Sequence, residues 1–274
     1  MKLLEGKAAI ITGSGRGIGR SVANLFVQHG ASVLINDLDD EVGNQVAAAI
    51  NADGGRAVAC NGSVVDEKFP EQLINTALDQ FGRLDIIVNN AGYTWDAVVQ
   101  KMTDNAWESM IAIHMTAPFR IIRAASSYLR ETAKEEIARG QAVHRKIINV
   151  SSVSGLTGNA GQVNYAAAKM GVVGMTKALA REWGRFNVNV NAVAFGFIET
   201  RLTDAKEKGV RLKIQDDEIS IGVPEMAREE FKKMIPLGRP GTPDEAAGPV
   251  LFLASPLSDY VTGTVLTVAG GSYM

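Results

Sequence analysis

The sequence has a single cysteine, little net charge and no long hydrophobic run. Cys60 has no second cysteine to pair with, so an intrachain disulfide is excluded, which suits a reducing compartment. The formal net charge of −2 argues against a wholly basic nucleic-acid binder. No apolar stretch reaches the length of about 18 residues that spans a membrane, and Glu5 and Lys7 interrupt any signal-peptide core. We therefore expect a cytoplasmic protein that binds neither nucleic acid nor membrane.

Several metal-binding and catalytic motifs are also missing. The three histidines, His29, His114 and His144, do not stand at metal-ligand spacing from Cys60. The sequence contains no H-E-x-x-H motif, no G-x-S-x-G nucleophile elbow and no G-x-x-x-x-G-K-[ST] phosphate loop. We therefore predict no metal site, and the sequence indicates neither a hydrolase nor a nucleotide triphosphatase.

Short apolar runs rich in Val and Ile alternate with longer amphipathic stretches. Most runs are apolar on both faces, which is typical of parallel strands covered by helices. The predicted strands cover residues 7–12, 32–36, 57–60, 84–89, 146–150, 188–193 and 264–268. The predicted helices cover residues 17–29, 41–51, 67–81, 104–136, 163–184 and 243–253. This pattern predicts one α/β domain over residues 1–274, a Rossmann-type doubly wound sheet of about seven parallel strands (order 3-2-1-4-5-6-7) with helices on both faces.

A glycine-rich segment follows the first predicted strand and opens the first predicted helix. Its pattern is G-x-x-x-G-x-G rather than G-x-G-x-x-G. Glycines permit a tight turn and let the backbone approach a pyrophosphate, which the helix N-terminus attracts. Such a turn can be purely structural, but its place between a strand and a helix favours a dinucleotide site. The predicted cofactor-binding residues here are Gly13, Ser14, Gly15, Arg16, Gly17, Ile18 and Gly19.

An acidic residue, Asp37, follows the second predicted strand. A carboxylate at this position can accept hydrogen bonds from the adenosine ribose hydroxyls and would repel a 2′-phosphate. The alternative is an ordinary acidic loop, since Asp39 and Asp40 follow. Arg16 opposes the first interpretation, because an arginine in the glycine loop could pair with a 2′-phosphate. We predict that Asp37 and its neighbour Leu38 bind the cofactor, with NAD(H) preferred and NADP(H) possible.

A tyrosine and a lysine, Tyr165 and Lys169, stand four residues apart on a predicted helix. This spacing places them on the same helix face, where an ammonium group lowers the pKa of a nearby phenol. A lowered pKa would make the phenol a usable proton donor or acceptor. The bare spacing also fits an ordinary amphipathic helix. Ser152, thirteen residues earlier and just past a predicted strand, favours a catalytic site, because ligands bind at carboxyl strand ends in such sheets.

Together these motifs resemble the short-chain dehydrogenase/reductase superfamily, and the resemblance covers almost the whole chain. It is carried by the glycine loop, residues 89–92, Ser152 and the Tyr165-x-x-x-Lys169 pair. Residues 158–169 and 196–200 are similar to bacterial 3-oxoacyl-acyl carrier protein reductases and related 3-hydroxyacyl-CoA dehydrogenases. The resemblance implies nicotinamide-dependent interconversion of a secondary alcohol and a ketone.

The resemblance also implies a role for each matching residue. Tyr165 would be the catalytic acid/base, Lys169 would lower its pKa and bind the nicotinamide ribose, and Ser152 would hydrogen-bond the substrate oxygen. The other matching positions would border the cofactor and are Ser63, Val64, Asn89, Ala91, Gly92, Gly196, Ile198 and Thr200. An aspartate often binds the adenine amine at the position of Ser63, so we expect a weaker hydrogen bond there.

Two further positions depart from the family pattern. His114 stands where the family usually has an asparagine, whose backbone carbonyl and a water complete a proton relay near the lysine. A histidine keeps that carbonyl, so we include His114 among the catalytic residues and expect activity to survive. Phe195 replaces the usual proline before Gly196, which removes the stiffness of proline and places an aromatic ring near the nicotinamide.

The resemblance and Asp37 together predict an NAD(H)-dependent oxidoreductase acting on a 3-hydroxyacyl or 3-oxoacyl thioester. The alternatives are a dehydrogenase of a cyclic or aromatic secondary alcohol, and a cofactor-binding module that has lost catalysis. The intact catalytic residues argue against the latter. The resemblance also implies a homotetramer built on the helix at 163–184 and on the long helix near residues 124–128.

A long mixed segment, residues 203–236, separates the sixth predicted strand from the last predicted helix. Ligands enter open α/β sheets over the carboxyl ends of the strands, where this segment must lie. We predict a helical substrate lid, with Trp95, Phe195 and Met226 as pocket walls. The alternative is a disordered or oligomer-contacting insertion.

Overall fold

The computed structural model describes residues 2–214 and 217–273 of the chain. Its strands are β1 (Ala8–Ile11), β2 (Ser32–Ile35), β3 (Arg56–Ala59), β4 (Ile86–Asn89), β5 (Arg145–Ser152), β6 (Val188–Phe195), β7 (Arg211–Ile214), β8 (Asp217–Ser220) and β9 (Val265–Val268). Seven of them form one parallel sheet in the order β3-β2-β1-β4-β5-β6-β9. The predicted sheet and its strand order are confirmed, with β9 in the place of the seventh predicted strand.

Helices cover both faces of this sheet, as predicted. They are α1 (Gly17–Gln28), α2 (Asp40–Ala52), α3 (Phe69–Phe81), α4 (Asp104–Ile111), α5 (Ala117–Ala138), α6 (Val153–Thr157), α7 (Val163–Trp183), α8 (Glu225–Lys233) and α9 (Pro243–Ala254). The apolar side of α1 buries Phe26 on one face, and α7 buries Trp183 on the other. In β1, Ile11 joins the first cluster and Ile10 the second, so this central strand needs apolar residues at every position. None of the helices in the described ranges is long and apolar enough to cross a membrane.

The direction of the connections reverses next to β1, which pairs with β2 on one side and with β4 on the other. At such a point a crevice opens beyond the carboxyl ends of the strands, where open α/β sheets bind ligands. The glycine loop follows β1, Asp37 follows β2, and Ser152 ends β5. Strand β6 continues two residues beyond the predicted end, so Phe195 is its last residue. The sheet therefore gathers most of the predicted site residues at one edge.

The single long helix predicted for residues 104–136 is wrong in one respect. The structure divides it into α4, a π-helical turn at Ala112–Thr116, and α5. Pro118 lies in the first turn of α5 and has no amide hydrogen, so it cannot donate the α-helical hydrogen bond to the carbonyl of His114. The change in helical winding places His114 inside the π-helical turn, and such turns occur frequently at functional sites.

The helical lid predicted for residues 203–236 is also corrected. Strands β7 and β8 form a two-stranded antiparallel sheet, and only the short α8 after them is α-helical. In β7, Arg211 and Lys213 are exposed while Leu212 and Ile214 are half-buried. This period of two favours a strand over a helix. Ile219 of β8 is buried against Tyr93 and Met110, and the segment therefore packs on the body of the domain through apolar contacts.

Candidate active site

One cavity of about 800 Å³ runs along the carboxyl edge of the sheet. The glycine loop and the end of β2 line one end of it, and α4, α7 and the 203–236 segment line the other. The predicted site residues that line the cavity are Gly13, Arg16, Gly17, Ile18, Gly19, Asp37, Leu38, Ser63, Val64, Ala91, Gly92, His114, Ser152, Tyr165, Lys169, Gly196, Ile198 and Thr200. The dimensions suit an extended ligand, and small-molecule sites of about 300–1,000 Å³ are usual.

Three predicted cofactor residues lie behind the cavity wall instead. The hydroxyl of Ser14 is buried and donates to the carbonyl oxygen of Ile11 at 2.7 Å. The backbone N–H of Gly15 donates to Oδ2 of Asp37 at 3.1 Å. The amide of Asn89 donates to Oδ1 of Asn149 on the neighbouring strand at 2.8 Å. These residues hold the shape of the site rather than line it.

The glycine loop lies directly against the chain that follows β4. Gly13 has a φ of +63°, and a Cβ at this position would lie 2.8 Å from the Cα of Ala91. The side-chain amide of Asn90 donates to the carbonyl oxygens of Thr12 and Gly13, at 2.9 and 3.1 Å. Only glycine accommodates both the backbone conformation and the close approach, so the loop is fixed in place before any ligand binds.

Asp37 is held in one orientation at the end of β2. Its Oδ2 accepts from the backbone of Gly15, and its Oδ1 accepts from the backbone N–H of Asp39 at 3.1 Å. Nη1 of Arg16 lies 3.9 Å from Oδ1, whereas Nη2 is bound to Oδ2 of Asp39 at 2.9 Å. The guanidinium of Arg16 is therefore committed to carboxylates, and negative charge faces this end of the cavity.

Ser152, Tyr165 and Lys169 converge at the other end of the cavity. Ser152 ends β5, and its hydroxyl caps α6 by accepting from the N–H of Ser154 at 3.2 Å. Nζ of Lys169 donates to the carbonyl oxygen of Val150 at 2.7 Å and lies 5.6 Å from the centre of the Tyr165 ring. A hydroxyl, a phenol and an amine thus share one small volume, which suits proton transfer to or from a ligand oxygen.

Burial decides the protonation of this group. It raises the pKa of Tyr165 to about 12, although the hydrogen bond with Ser152 opposes the rise and the charge of Asp96 adds to it. Burial also lowers the pKa of Lys169 to about 7. Burial therefore outweighs the predicted lowering of the pKa of Tyr165 by Lys169, whose amine is itself desolvated and bound to the carbonyl of Val150.

His114 lies beside these residues in the cavity wall and is almost completely buried. Its ring meets that of Tyr165 edge to face, with centroids 5.0 Å apart. Nε2 lies 2.7 Å from the carbonyl oxygen of Tyr93, and Nδ1 has no hydrogen-bond partner among the described residues. Burial, together with the charge of Lys169, holds the pKa of the imidazole well below its usual value. The ring is neutral, so Nε2–H donates to Tyr93 and Nδ1 remains a bare acceptor.

Sequence reasoning missed several residues that shape the cavity. Asp96 lines it and accepts two hydrogen bonds from the amide of Gln162, at 3.1 and 3.0 Å. The motif at residues 89–92 contains Asn90, whose side-chain amide joins the two loops. Arg201 also lines the cavity and directly follows the predicted Thr200. No local pattern predicts that Asp96 lines the cavity. Asn90 and Arg201 could have been predicted, because each is adjacent in sequence to a predicted site residue.

The predicted pocket walls are only partly correct. Phe195 lines the cavity, but Met226 is 86% exposed on α8. Trp95 packs on the apolar cluster of Tyr93, Met110 and Ile219 and does not line the cavity itself. The apolar wall is formed instead by Leu202 and by residues of the 203–236 segment, namely Leu212, Ile214, Val223, Phe231, Met234 and Ile235. Among residues 2–214 and 217–273, no group of three or more His, Cys, Asp or Glu side chains could hold a metal ion.

The doubly wound sheet, the glycine loop and the Ser152–Tyr165–Lys169 group define a short-chain dehydrogenase/reductase. The chain belongs to that superfamily and, within it, to the family described as enoyl-(acyl carrier protein) reductase, which matches residues 13–273. It is 42% identical to a 3-oxoacyl-[acyl-carrier-protein] reductase of Vibrio harveyi over 99% of both chains. It is 37% identical to the reductase of the same name from Thermotoga maritima over 98% of both chains.

A solved structure has the same architecture. It is a 7α-hydroxysteroid dehydrogenase complexed with NADH and 7-oxo glycochenodeoxycholic acid, which is 28% identical to this chain and covers 98% of it, with a TM-score of 0.85. The present chain covers 94% of that structure. The likeness therefore extends over the sheet and both helical layers.

The contact between His114 and Gly92 generates a prediction on packing. A Cβ at residue 92 would collide with the imidazole and lie 2.7 Å from its Nδ1. We expect Gly92→Ala to lower the free energy of unfolding by ~1–3 kcal/mol, the usual cost of overpacking a filled core. In a His114→Ala background the same change should cost much less, because the ring is gone. Denaturant unfolding of the four proteins in this cycle measures the difference, and equal costs in both backgrounds would show that Gly92 does not contact His114.

Proposed function

We propose that this protein is an NAD(H)-dependent oxidoreductase that interconverts a 3-hydroxyacyl and a 3-oxoacyl thioester. The observation that carries the proposal is that one cavity is bordered by the oriented carboxylate of Asp37 at one end and by Ser152, Tyr165 and Lys169 at the other. The reductases of Vibrio harveyi and Thermotoga maritima, which this chain resembles over nearly its full length, are named for a 3-oxoacyl-[acyl-carrier-protein] substrate. That likeness supports the choice of substrate class.

The residues around the cavity fit a nicotinamide dinucleotide. The glycine loop offers the N-terminus of α1 to a pyrophosphate, and a carboxylate for ribose hydroxyls is already fixed beside it by Gly15. Ser63, Val64 and Leu38 line the adenine end, and Gly92, Gly196, Ile198 and Thr200 line the middle. The bound cofactor would supply or accept a hydride. Residues of the chain would bind the substrate oxygen and transfer its proton.

The proposed chemistry is proton transfer at one substrate oxygen. The hydroxyls of Ser152 and Tyr165 hydrogen-bond that oxygen, and Tyr165 donates its proton to it in reduction, which leaves a phenolate. In the reverse direction the phenolate takes the proton back from the substrate hydroxyl. Lys169 lies one helical turn away and binds the ribose of the cofactor. A neutral His114 packs its ring against the phenol and sets the position of Tyr165, while its backbone carbonyl serves the proton relay.

The two alternatives differ from this proposal in what they would turn over. A dehydrogenase of a cyclic or aromatic alcohol would use ring ketones in preference to 3-oxoacyl thioesters. A non-catalytic module would bind dinucleotide and reduce nothing. Rates of NADH oxidation with acyl carrier protein and CoA thioesters, compared with cyclic ketones, separate the three.

Replacing the phenol gives a direct test of the proposed acid/base. Tyr165→Phe removes only the hydroxyl, so we expect kcat to fall at least about 100-fold, in line with the usual contribution of general acid–base catalysis, with little change in NADH binding. Tyr260→Phe is the matched control, since Tyr260 is fully exposed and its loss should leave kcat unchanged. A Tyr165→Phe protein that keeps wild-type kcat would refute the assignment.

Asp37 is proposed to set the preference for NAD(H). In Asp37→Ser the repulsion of a 2′-phosphate disappears and Arg16 loses one of its two carboxylates. We expect the ratio of kcat/KM for NADH to that for NADPH to drop about tenfold, which corresponds to ~1.4 kcal/mol. Asp40→Ser, in the exposed first turn of α2, should leave the ratio unchanged. Higher kcat/KM with NADPH in the unsubstituted enzyme would contradict the proposal.

The 203–236 segment is proposed to be a substrate lid whose apolar side contacts the acyl chain. Leu212 and Ile214 line the cavity, and rings of Phe231 and Phe197 lie 5.8 Å apart where α8 meets the end of β6. A lid of this kind excludes water from the reacting atoms. Residues 215 and 216 lie outside the described part of the chain and carry none of this argument.

The lid predicts a selective change in substrate binding. Leu212→Ala with Ile214→Ala removes apolar surface, at ~0.8 kcal/mol per buried methylene. We expect KM for long 3-oxoacyl thioesters to rise at least about fivefold, with KM for acetoacetyl thioester and for NADH nearly constant. Lys213→Ala, which alters the exposed face of the same strand, is the control. Equal rises for short and long substrates would argue against an acyl-binding lid.

A homotetramer is proposed for the assembled enzyme, built on α5 and α7. Both helices expose large apolar side chains, with Phe119 48%, Met170 50% and Val163 44% exposed. A Cβ at Gly174 would meet open space, so a second helix can approach α7 closely at that point. Exposed apolar side chains on both helices favour association through these faces.

A further inference from the structure

Arg201 lies at the junction between the cofactor end of the cavity and the lid. It follows Thr200, whose methyl carbon lies 3.5 Å from the position that a Cβ at Gly17 would occupy, at the start of α1. The turn is fixed by Thr203: its hydroxyl donates to the carbonyl oxygen of Ile198 at 2.5 Å and accepts from the N–H of Thr200 at 2.9 Å. The backbone that carries Arg201 is therefore held against the N-terminus of α1.

The charge of Arg201 is not matched by the protein. Within residues 2–214 and 217–273 its guanidinium has neither a hydrogen-bond partner nor a carboxylate at salt-bridge distance, although it lines the cavity. Partial burial and the charge of Arg16 lower its pKa, while Asp37 and Asp39 act in the opposite direction. Those two carboxylates already hold Arg16. Arg201 is exposed where it lines the cavity, and a guanidinium that the protein leaves unpaired beside a second arginine is available to an anionic ligand.

We propose that Arg201 binds the pyrophosphate of the dinucleotide cofactor across the cavity from the glycine loop. The inference rests on the proposed dinucleotide function and adds a residue to it. A pyrophosphate carries two negative charges, which the backbone N–H groups of the glycine loop and the N-terminus of α1 stabilise only with partial charges. Arg16 is paired with Asp37 and Asp39, so Arg201 supplies the full positive charge. Guanidinium groups bind phosphate oxygens in bidentate geometry.

The position of Arg201 gives this contact a second consequence. The lid begins at residue 203, immediately after the fixed turn that carries Arg201. A phosphate held by Arg201 thus joins the cofactor to the base of the lid, and cofactor binding should precede productive binding of a long acyl substrate.

Binding measurements on the full-length protein test the assignment without relying on turnover. Calorimetric titration of the unsubstituted protein, Arg201→Gln and Arg201→Lys would use NADH, ADP-ribose and adenosine as ligands. Arg201→Gln should bind NADH and ADP-ribose about tenfold more weakly, because a charge-assisted hydrogen bond is lost, and adenosine, which has no phosphate, equally well. Arg201→Lys keeps the charge and should recover part of the loss. The control is Arg181→Gln, an exposed arginine on α7 outside the cavity, which should bind all three ligands normally.

The outcomes are distinct. The pyrophosphate contact is supported if Arg201→Gln binds NADH and ADP-ribose more weakly than the unsubstituted protein does. It is further supported if high ionic strength weakens the binding of both ligands to the unsubstituted protein. Unchanged affinity for both in Arg201→Gln overturns it. A parallel titration with NADPH gives a second way to overturn it, because a loss confined to NADPH would assign Arg201 to a 2′-phosphate. Failure of the unsubstituted protein to bind NADH at all would overturn the dinucleotide assignment itself. Circular dichroism and thermal unfolding of Arg201→Gln establish that the variant is folded.

Discussion

The parallel pairing of β1 with both β2 and β4 is the constraint on which the site depends. The reversal of direction at β1 opens the crevice, and the side-chain amide of Asn90 then ties the end of β4 to the carbonyls of Thr12 and Gly13. These hydrogen bonds are made inside the protein and require no ligand. Because the loop is rigid before binding, less conformational entropy is lost when a ligand enters. The position of the glycine loop fixes the distance from the cofactor end of the cavity to its catalytic end.

A second constraint is the low polarity of the catalytic end. The same burial raises the pKa of Tyr165 and lowers those of Lys169 and His114, since each group is disfavoured in its charged form. The carbonyl of Val150 and the carbonyl of Tyr93 accept the hydrogen bonds that Lys169 and His114 need. The group thus remains compact, with the carboxylate of Asp96 near it. Asp37 and Asp39 place further negative charge at the opposite end.

The lid shows which structural features a local sequence pattern can predict and which it cannot. Its position followed from the order of strands, because a segment after β6 must cross the carboxyl edge of the sheet. Its conformation did not. The residues of Arg211–Ile214 alternate between charged and apolar, which favours a strand, but a run of four residues is too short for this alternation to decide between a strand and a helix. Packing of Ile219 against Tyr93 and Met110, on elements far away in sequence, decided between them. The π-helical turn around His114 arose similarly, although Pro118 was a visible signal for it.

The sheet, its strand order and most cavity residues can be predicted from the sequence, because buried strands and phosphate-binding turns impose apolar runs and glycines at fixed places in the chain. Which of those residues face the cavity depends on tertiary packing. Ser14, Gly15 and Asn89 proved to be supports, whereas Asp96 and Arg201 proved to line it. Tertiary structure also set the protonation of the catalytic group. The burial of a side chain and the charges around it depend on neighbours from many segments that are distant in sequence, so no local sequence pattern predicts them.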